Sequence, residues 1–260
     1  MAVVTMKAKD ETRYSPAEWQ ARVDLAAAHR LCVLNGFHEG IFNHLTLTVP
    51  GKPGRYYQIP FGLHWAEVTA SCFMEVSFDG ELLAGEGEVE QSCYCIHAPI
   101  HRDVERAAAV FHTHMPWASA LSRLEDPRIL PIGQTELGIM RDTAYDTYYD
   151  GPAFDPAEGA RLAKVIEDKN ILIMANHGAA TIGRNVAEAF DRLYYLERVA
   201  QVQLLAMQSS RPLKFLPLDV VEKSLKEFAA PHEYGNRSNR DRHFDALKRL
   251  LDKREPDYKD

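Results

Sequence analysis

The sequence predicts an α/β domain, because helical and strand-like patterns alternate along it. The segment 15–18, Ser-Pro-Ala-Glu, carries the residues of a capping box and opens a helix that should run to about Gly36. Apolar residues alternate with hydroxyl residues over 45–49, which is typical of a half-buried strand. Two later apolar runs, 107–111 and 171–174, are also strand-like, and each leads toward a histidine. One substantial core is therefore expected.

The other elements are predicted in chain order from the same signals. Strands are expected near 45–49, 56–60, 73–78 and 81–83, with a hairpin turn at 79–80, and then at 107–112, 129–132, 171–174 and 179–183. Helices are expected from 15 to about 36, over 90–103, from 116, from 155, over 185–209 and near 241–251. The residues between 132 and 155, rich in Tyr and Asp, are predicted to form a loop. Six apolar residues should form the buried face of the long helix: Val186, Phe190, Leu193, Leu196, Val199 and Val202.

The charge and hydropathy of the chain limit the classes of partner that we expect. A net charge of −7 over 260 residues argues against a nucleic-acid partner, since such proteins usually carry a concentrated basic face. No apolar run approaches the ~18 residues that cross a bilayer, and the N-terminus lacks the apolar core of a signal peptide. We therefore predict a cytoplasmic protein with no nucleic-acid or membrane partner.

The chain is expected to have three parts. Residues 1–14 are predicted to be an N-terminal arm, residues 15–210 the main domain, and residues 211–260 a C-terminal helical tail. The tail contains proline and many charges. It is predicted either to form a solvated, salt-bridged surface or to pack on a neighbouring subunit and close the pocket there.

Three histidines are the strongest chemical signal. His112 and His114 lie two residues apart at the end of a predicted strand, so their rings should share one face while Thr113 points away. His177 follows a second buried strand at a glycine turn. Neutral imidazole is the commonest metal-binding side chain, so we predict a metal site built from these residues.

Four segments in this order resemble the class II aldolase/adducin family: 43–51 (NHLTLTVPG), 67–71 (EVTAS), 110–116 (VFHTHMP) and 175–178 (ANHG). The resemblance covers about residues 15–208. It implies a three-layer αβα domain around a central mixed or antiparallel sheet, commonly assembled as a homotetramer. It also implies one divalent metal ion per chain, held by His112, His114 and His177. Open positions on such an ion could bind adjacent hydroxyl and carbonyl oxygens of a substrate.

The sequence departs from the family pattern at two places. Sugar-phosphate aldolases of this family carry Ser-Ser-Glu about nineteen residues before the first metal histidine, where this chain has Gln91-Ser92-Cys93. The acid/base glutamate is thus replaced by a thiol, and Glu90, if helical, would lie off the face of Cys93. Phe61 also precedes Gly62 where the phosphate-binding segment would have Thr-Gly. Both changes argue against a sugar phosphate as substrate.

Further candidate residues come from these segments. Cys93 and His97 share one helical face and are predicted as catalytic, with Cys93 facing the metal ion and His97 supporting it. The alternative is that both are packed core residues. Asn43, Phe61 and Gly62 are predicted to contact substrate, although Asn43 could instead cap a turn.

Three functions are open. The first is a metal-dependent lyase, with Zn²⁺ or Mn²⁺, that acts on a C–C bond of a non-phosphorylated, oxygenated small molecule. The second is a non-haem Fe²⁺ oxygenase that cleaves a side chain from a phenolic acid, as the aminocoumarin-pathway oxygenases that resemble this family do. The third is a non-catalytic interaction module like the adducin head domain. Histidine ligands alone do not choose among the metals.

Overall fold

The computed structural model describes residues 13–229 and 238–260, and in them a single eight-stranded sheet lies between two layers of helices. The strands are β1 His44–Thr48, β2 Arg55–Gln58, β3 Met74–Ser77, β4 Leu82–Ala84, β5 Ala109–Thr113, β6 Thr143–Asp146, β7 Ile171–Met174 and β8 Ala179–Gly183. The helices are α1 Pro16–Asn35, α2 Gln91–Asp103, α3 Pro116–Leu121, α4 Gln134–Ile139, α5 Pro156–Ile166, α6 Val186–Gln208, α7 Leu218–Ala229 and α8 Asn239–Arg254.

The sheet has the order β4-β3-β2-β1-β5-β8-β7-β6. Every neighbouring pair is antiparallel except β6 and β7, which are parallel. Alternate residues of β5 divide between the two faces, because Phe111 packs with α1 and α6 whereas Val110 packs with α2 and α5. The three-layer αβα arrangement with a mixed, mainly antiparallel sheet is therefore confirmed.

The first helix forms for the predicted reasons. Ser15 accepts a hydrogen bond from the Glu18 amide, and the Glu18 carboxylate accepts one from the Ser15 amide. Gly36 ends the helix with φ of 72°, in the left-handed region that glycine adopts without strain. Most other predicted elements are present within a few residues of their expected positions.

The strand predicted near 129–132 is wrong. Pro127 and Pro131 interrupt this segment, and its amides bond to side chains: Ile129 N donates to Tyr145 Oη at 3.0 Å, and Leu130 N to Gln203 Oε1 at 2.8 Å. The strand lies instead at β6, within the predicted loop, where Thr143–Asp146 pairs with β7. Helix α4, which also lies within the predicted loop, and helix α7 were not predicted either.

Helix α6 buries five of the six residues predicted on its apolar face. Val202 is the exception, because it is 49% exposed. It lines an open cleft together with Leu213 and Lys214, beyond the part of α6 that packs on the sheet. The buried apolar stripe therefore ends at Ala200, which is fully buried in the core.

The described part of the C-terminal tail packs on its own chain. Phe244, Leu251 and Tyr258 belong to the main hydrophobic core, and each is at most 4% exposed. The Tyr258 carbonyl accepts a hydrogen bond from the Ala70 amide at 2.9 Å. Two charged residues of α8 bond to other helices of the chain, Arg240 to Asp191 on α6 and Lys248 to Asp24 on α1. The boundary near 210 stays a prediction. Of the predicted N-terminal arm, residues 1–12 lie outside the described part of the chain. Within 13–229 and 238–260, none of the helices has both the length and the apolar character to cross a bilayer.

Acid is expected to destabilise the fold through His29 on α1. This fully buried ring packs against Trp65 and Phe73, and its Nδ1 donates to the Leu25 carbonyl at 2.8 Å. Burial lowers the pKa of His29 from 6.5 to about 4. Between these values the unfolded chain binds more protons than the folded one, so the free energy of unfolding falls as the pH falls.

A His29→Phe variant keeps an aromatic ring there and cannot ionise. Urea unfolding at pH 7 and pH 4.5 should show that the variant loses about 2 kcal/mol less stability on acidification than the native protein. Equal losses in the two proteins would contradict this assignment.

Candidate metal centre

The three predicted histidines lie together at one end of the neighbouring strands β5, β8 and β7. His112 is the fourth residue of β5, His114 follows the strand, and His177 lies in the turn that joins β7 to β8. The ring centroids are 4.8–4.9 Å apart in all three pairs. Their candidate ligand atoms all lie within 4.8 Å of one another, and no other such group of His, Cys, Asp and Glu side chains occurs in the described residues. We call these three residues the histidine cluster.

Hydrogen bonds orient two of the rings. His112 Nδ1 donates to the Ala179 carbonyl at 3.0 Å, and His114 Nδ1 donates to Glu39 Oε2 at 2.5 Å. Because both acceptors are oxygens without a hydrogen, Nδ1 is the donor in each ring, which leaves Nε2 as the nitrogen that can bind a metal ion. The Nε2 of His114 is buried and has no partner. An unpaired buried nitrogen beside two other imidazoles fits a divalent metal ion, whose ligand histidines are usually held by such hydrogen bonds.

The protonation of the cluster also suits a metal ion. Burial, assisted by the neighbouring imidazoles, holds the pKa of His112 well below its usual value. Burial and nearby His114 lower the pKa of His177 to about 4. Both rings are therefore neutral at pH 7, which is the form that coordinates a metal.

Asn43 holds the backbone of one ligand. Its Oδ1 accepts a hydrogen bond from the His114 amide at 3.0 Å, and its own φ of 74° lies in the left-handed region, which asparagine tolerates better than most residues. Asn43 also lines the cleft next to the cluster. The structure thus gives Asn43 a contact with the His114 backbone that was not predicted, and its contact with substrate stays a prediction.

Replacing Glu39 should weaken metal binding. A Glu39→Gln substitution preserves shape but removes the charged acceptor of His114 Nδ1. We expect the affinity for Zn²⁺ to fall by about 10- to 100-fold in competition with a chromophoric chelator. Glu81→Gln, at an exposed carboxylate on the β3–β4 turn, is the matched control and should bind as the native protein does. Equal affinities for both variants would show that Glu39 does not support the site.

Two clefts adjoin the histidine cluster. The first is lined by Ile41, Asn43, His44, Leu45, Gln58, Ile59, Pro60, Phe61 and Glu90. We call it the His44 cleft, and it approaches the cluster through His44, whose ring centroid is 5.5 Å from that of His112. The second includes His177 together with Tyr148 and Tyr149. A molecule in either cleft would lie close to the cluster.

Of the neighbouring residues Phe61 and Gly62, both predicted to contact substrate, only Phe61 lines a cleft. Phe61 lines the His44 cleft and is 40% exposed. Gly62 follows it with φ of 89°, a conformation that favours glycine, but it is not one of the lining residues. Gly62 therefore shapes the loop that presents Phe61.

Cys93 and His97 are both fully buried. Cys93 packs with Tyr56, Met74 and Val76, and burial raises the pKa of its thiol well above the usual value. It is not part of the histidine cluster. His97 Nδ1 bonds to Thr46 Oγ1 at 2.7 Å, and its ring packs edge-on against His44 at 5.2 Å. This environment favours the packing interpretation for Cys93 and places His97 behind His44.

The pairing of His44 with Glu90 was not predicted from the sequence. His44 Nε2 lies 3.0 Å from Glu90 Oε2, in the His44 cleft. Glu90 is the N-cap of α2 and also accepts hydrogen bonds from Ser92 N and Cys93 N. Burial raises the pKa of Glu90, but the hydrogen bonds from His44, Cys93 and Ser92 outweigh it and bring the pKa to about 2. The sequence signal that could have revealed this pairing is the position of Glu90 at the N-cap of α2. A side chain at the N-cap is not restricted to the face that it would occupy inside the helix.

The fold and the histidine cluster together define a class of protein. The profile of the family described as Class II Aldolase and Adducin N-terminal domain matches residues 23–204. The chain therefore belongs to this family, as its sequence motifs indicated.

Individual relatives support this assignment. A Pseudomonas aeruginosa protein provisionally named a class 2 aldolase is 32% identical over 99% of each chain. The crystal structure of an aldolase II superfamily protein from Pseudomonas syringae is 34% identical, with a TM-score of 0.89 over 96% of this chain and 99% of the other. Alpha-adducin of Mus musculus is 29% identical over 95% of this chain, which corresponds to 35% of the adducin.

Proposed function

We propose that this protein is a metal-dependent lyase that cleaves or forms a C–C bond in a non-phosphorylated, oxygenated small molecule. The observation that carries the proposal is the histidine cluster, with its three converging rings, its unpaired His114 Nε2 and its adjoining clefts. Membership of the class II aldolase/adducin family supports the same reaction class.

The residues present define how the site would work. His112, His114 and His177 would hold the ion, and a bound Zn²⁺ or Mn²⁺ would supply Lewis-acid stabilisation of negative charge on substrate oxygens. The Ala179 carbonyl and Glu39 hold two of the rings in position. Three protein ligands leave coordination positions open for substrate. Gln91-Ser92-Cys93 and Phe61 replace the residues expected for a sugar phosphate.

Two alternatives have specific support. The cluster consists of three nitrogen ligands, and no carboxylate joins it among the described residues, a donor set that also suits Fe²⁺ with open positions for oxygen. The similarity to alpha-adducin supports a non-catalytic interaction module. The lyase is preferred to the module because hydrogen bonds on the Nδ1 atoms of His112 and His114 orient two of the three ligand rings.

Turnover with and without oxygen separates these functions. Zn²⁺- or Mn²⁺-loaded protein should release an aldehyde or ketone from a member of a panel of hydroxy-carbonyl compounds at equal rates in air and under strict anaerobiosis. Turnover that requires Fe²⁺ and oxygen would support the oxygenase instead. A protein that binds no metal and converts no compound in the panel would support the interaction module.

The proposal retains the sequence predictions of a homotetramer, a small-molecule substrate and a cytoplasmic location. Sedimentation equilibrium of the native protein should give a mass near four chains. A monomeric mass would contradict the predicted assembly without affecting the metal site.

A further inference from the structure

The His44 cleft contains a buried amide oxygen without a partner. Gln58, the last residue of β2, is 3% exposed and lines this cleft. Its Oε1 is buried and receives no hydrogen bond from the protein. Because an unpaired buried acceptor is costly, this oxygen is suited to a donor supplied by a bound molecule.

A second buried polar atom without a partner lies on His44. Its Nε2 lies 3.0 Å from Glu90 Oε2, and its Nδ1 is buried without a partner. The wall of the cleft therefore carries unpaired polar atoms at separate positions on Gln58 and His44.

The charge of the cleft opposes a phosphate. Its lining residues include the carboxylate of Glu90 and contain no lysine or arginine. A phosphate bound there would meet a negative charge without a cationic partner, whereas phosphate sites normally supply arginine, lysine or several backbone amides.

The ligand also does not need a positive charge to pair with the Glu90 carboxylate. The Glu90 carboxylate already accepts hydrogen bonds from Ser92 N, Ser92 Oγ, Cys93 N and His44 Nε2. A neutral hydroxyl group is enough to satisfy the unpaired Oε1 of Gln58. Phe61 and Ile41, 40% and 37% exposed, add apolar surface at the same cleft, against which the C–H faces of a polyhydroxylated chain could pack.

We propose that the His44 cleft binds an unphosphorylated, polyhydroxylated end of the substrate, with Gln58 Oε1 as the acceptor for its hydroxyl groups and the Glu90 carboxylate as the charge that disfavours phosphate. This inference rests on the proposed function and adds the chemical class of the substrate. It assigns to Gln58 a substrate-binding role that its place in a strand does not suggest.

Calorimetric titration tests this directly. Zn²⁺-loaded native protein is titrated with D-fructose, L-sorbose and D-tagatose and with the 1-phosphate ester of each. At least one free ketose should bind at least tenfold more tightly than its ester. Gln58→Leu should weaken that binding by about 3- to 10-fold, the effect of one hydrogen bond. Gln20→Leu, at an exposed position on α1, is the matched control and should leave the dissociation constant unchanged.

Glu90→Gln provides the second variant. Removing the negative charge should shift the ratio of ester to ketose affinity toward the ester by about tenfold. Tighter binding of the esters to the native protein, no binding of any free ketose, or equal effects of the Gln58 and Gln20 substitutions would overturn the inference. Metal content and anaerobic turnover are measured separately, so a failure of the cleft assignment is distinguishable from a failure of the lyase proposal.

Discussion

Replacing His112 by alanine is expected to remove the bound metal ion and to lower turnover by at least ~1000-fold. His112 is 2% exposed and lies at the centre of the cluster, in ring contact with His114, His177 and His44. Its loss leaves two ligands for the ion, and Lewis-acid stabilisation worth several kcal/mol is lost with the ion. Elemental analysis should show the metal content fall from about one ion per chain to background.

His243→Ala is the matched control for His112→Ala. His243, on α8, is partly exposed and bonds to Asp191 at 2.8 Å, away from the cluster. This variant should keep its metal ion and its turnover. Circular dichroism and thermal unfolding of both variants establish that the fold persists. Undiminished metal content in folded His112→Ala would show that the ion is bound elsewhere.

Gly178→Ala is expected to disturb the site without removing any ligand. A Cβ atom at this position would lie 2.6 Å from the Thr113 carbonyl oxygen and 2.8 Å from Cδ2 of His114. Because a backbone carbonyl cannot yield easily, either the turn that carries His177 or the His114 ring must move. Metal sites need their ligands within about 0.5 Å of the productive geometry. We expect Zn²⁺ affinity to fall by about 100-fold and stability by about 1–3 kcal/mol.

Gly138→Ala is the control for this effect. Its Cβ would make only an ordinary contact, 3.8 Å from Phe228, and Gly138 lies inside helix α4, where alanine is preferred to glycine. Metal affinity should be unchanged and stability equal or higher by up to ~1 kcal/mol. Native-like metal affinity in Gly178→Ala would mean that the close approach at residue 178 does not fix the ligands.

The histidine cluster could be predicted from the sequence because each of its residues lies in or next to a short segment with a recognisable strand pattern. Strand alternation places His112 and His114 on one face, and the apolar run before His177 predicts the neighbouring hairpin. The alternation does not reveal which strands are adjacent. The antiparallel pairing of β5 with β8 brings the hairpin turn beside His114, and this contact depends on the whole sheet.

The parts that escaped prediction depend on distant contacts. β6 was expected to be a loop because its strand character comes from pairing with β7 rather than from its own composition. The pairing of His44 with Glu90 joins residues 46 positions apart, and the buried Gln58 belongs to a third segment. Cys93 was placed correctly on α2, but only packing against Tyr56 and Met74 shows its apolar surroundings.

The most direct measurement is elemental analysis of the native protein, purified anaerobically without added metal and compared with His112→Ala prepared in the same way. The lyase account predicts close to one zinc or manganese ion per native chain and none in the variant. Near-stoichiometric iron, or no metal in the native protein, would contradict it.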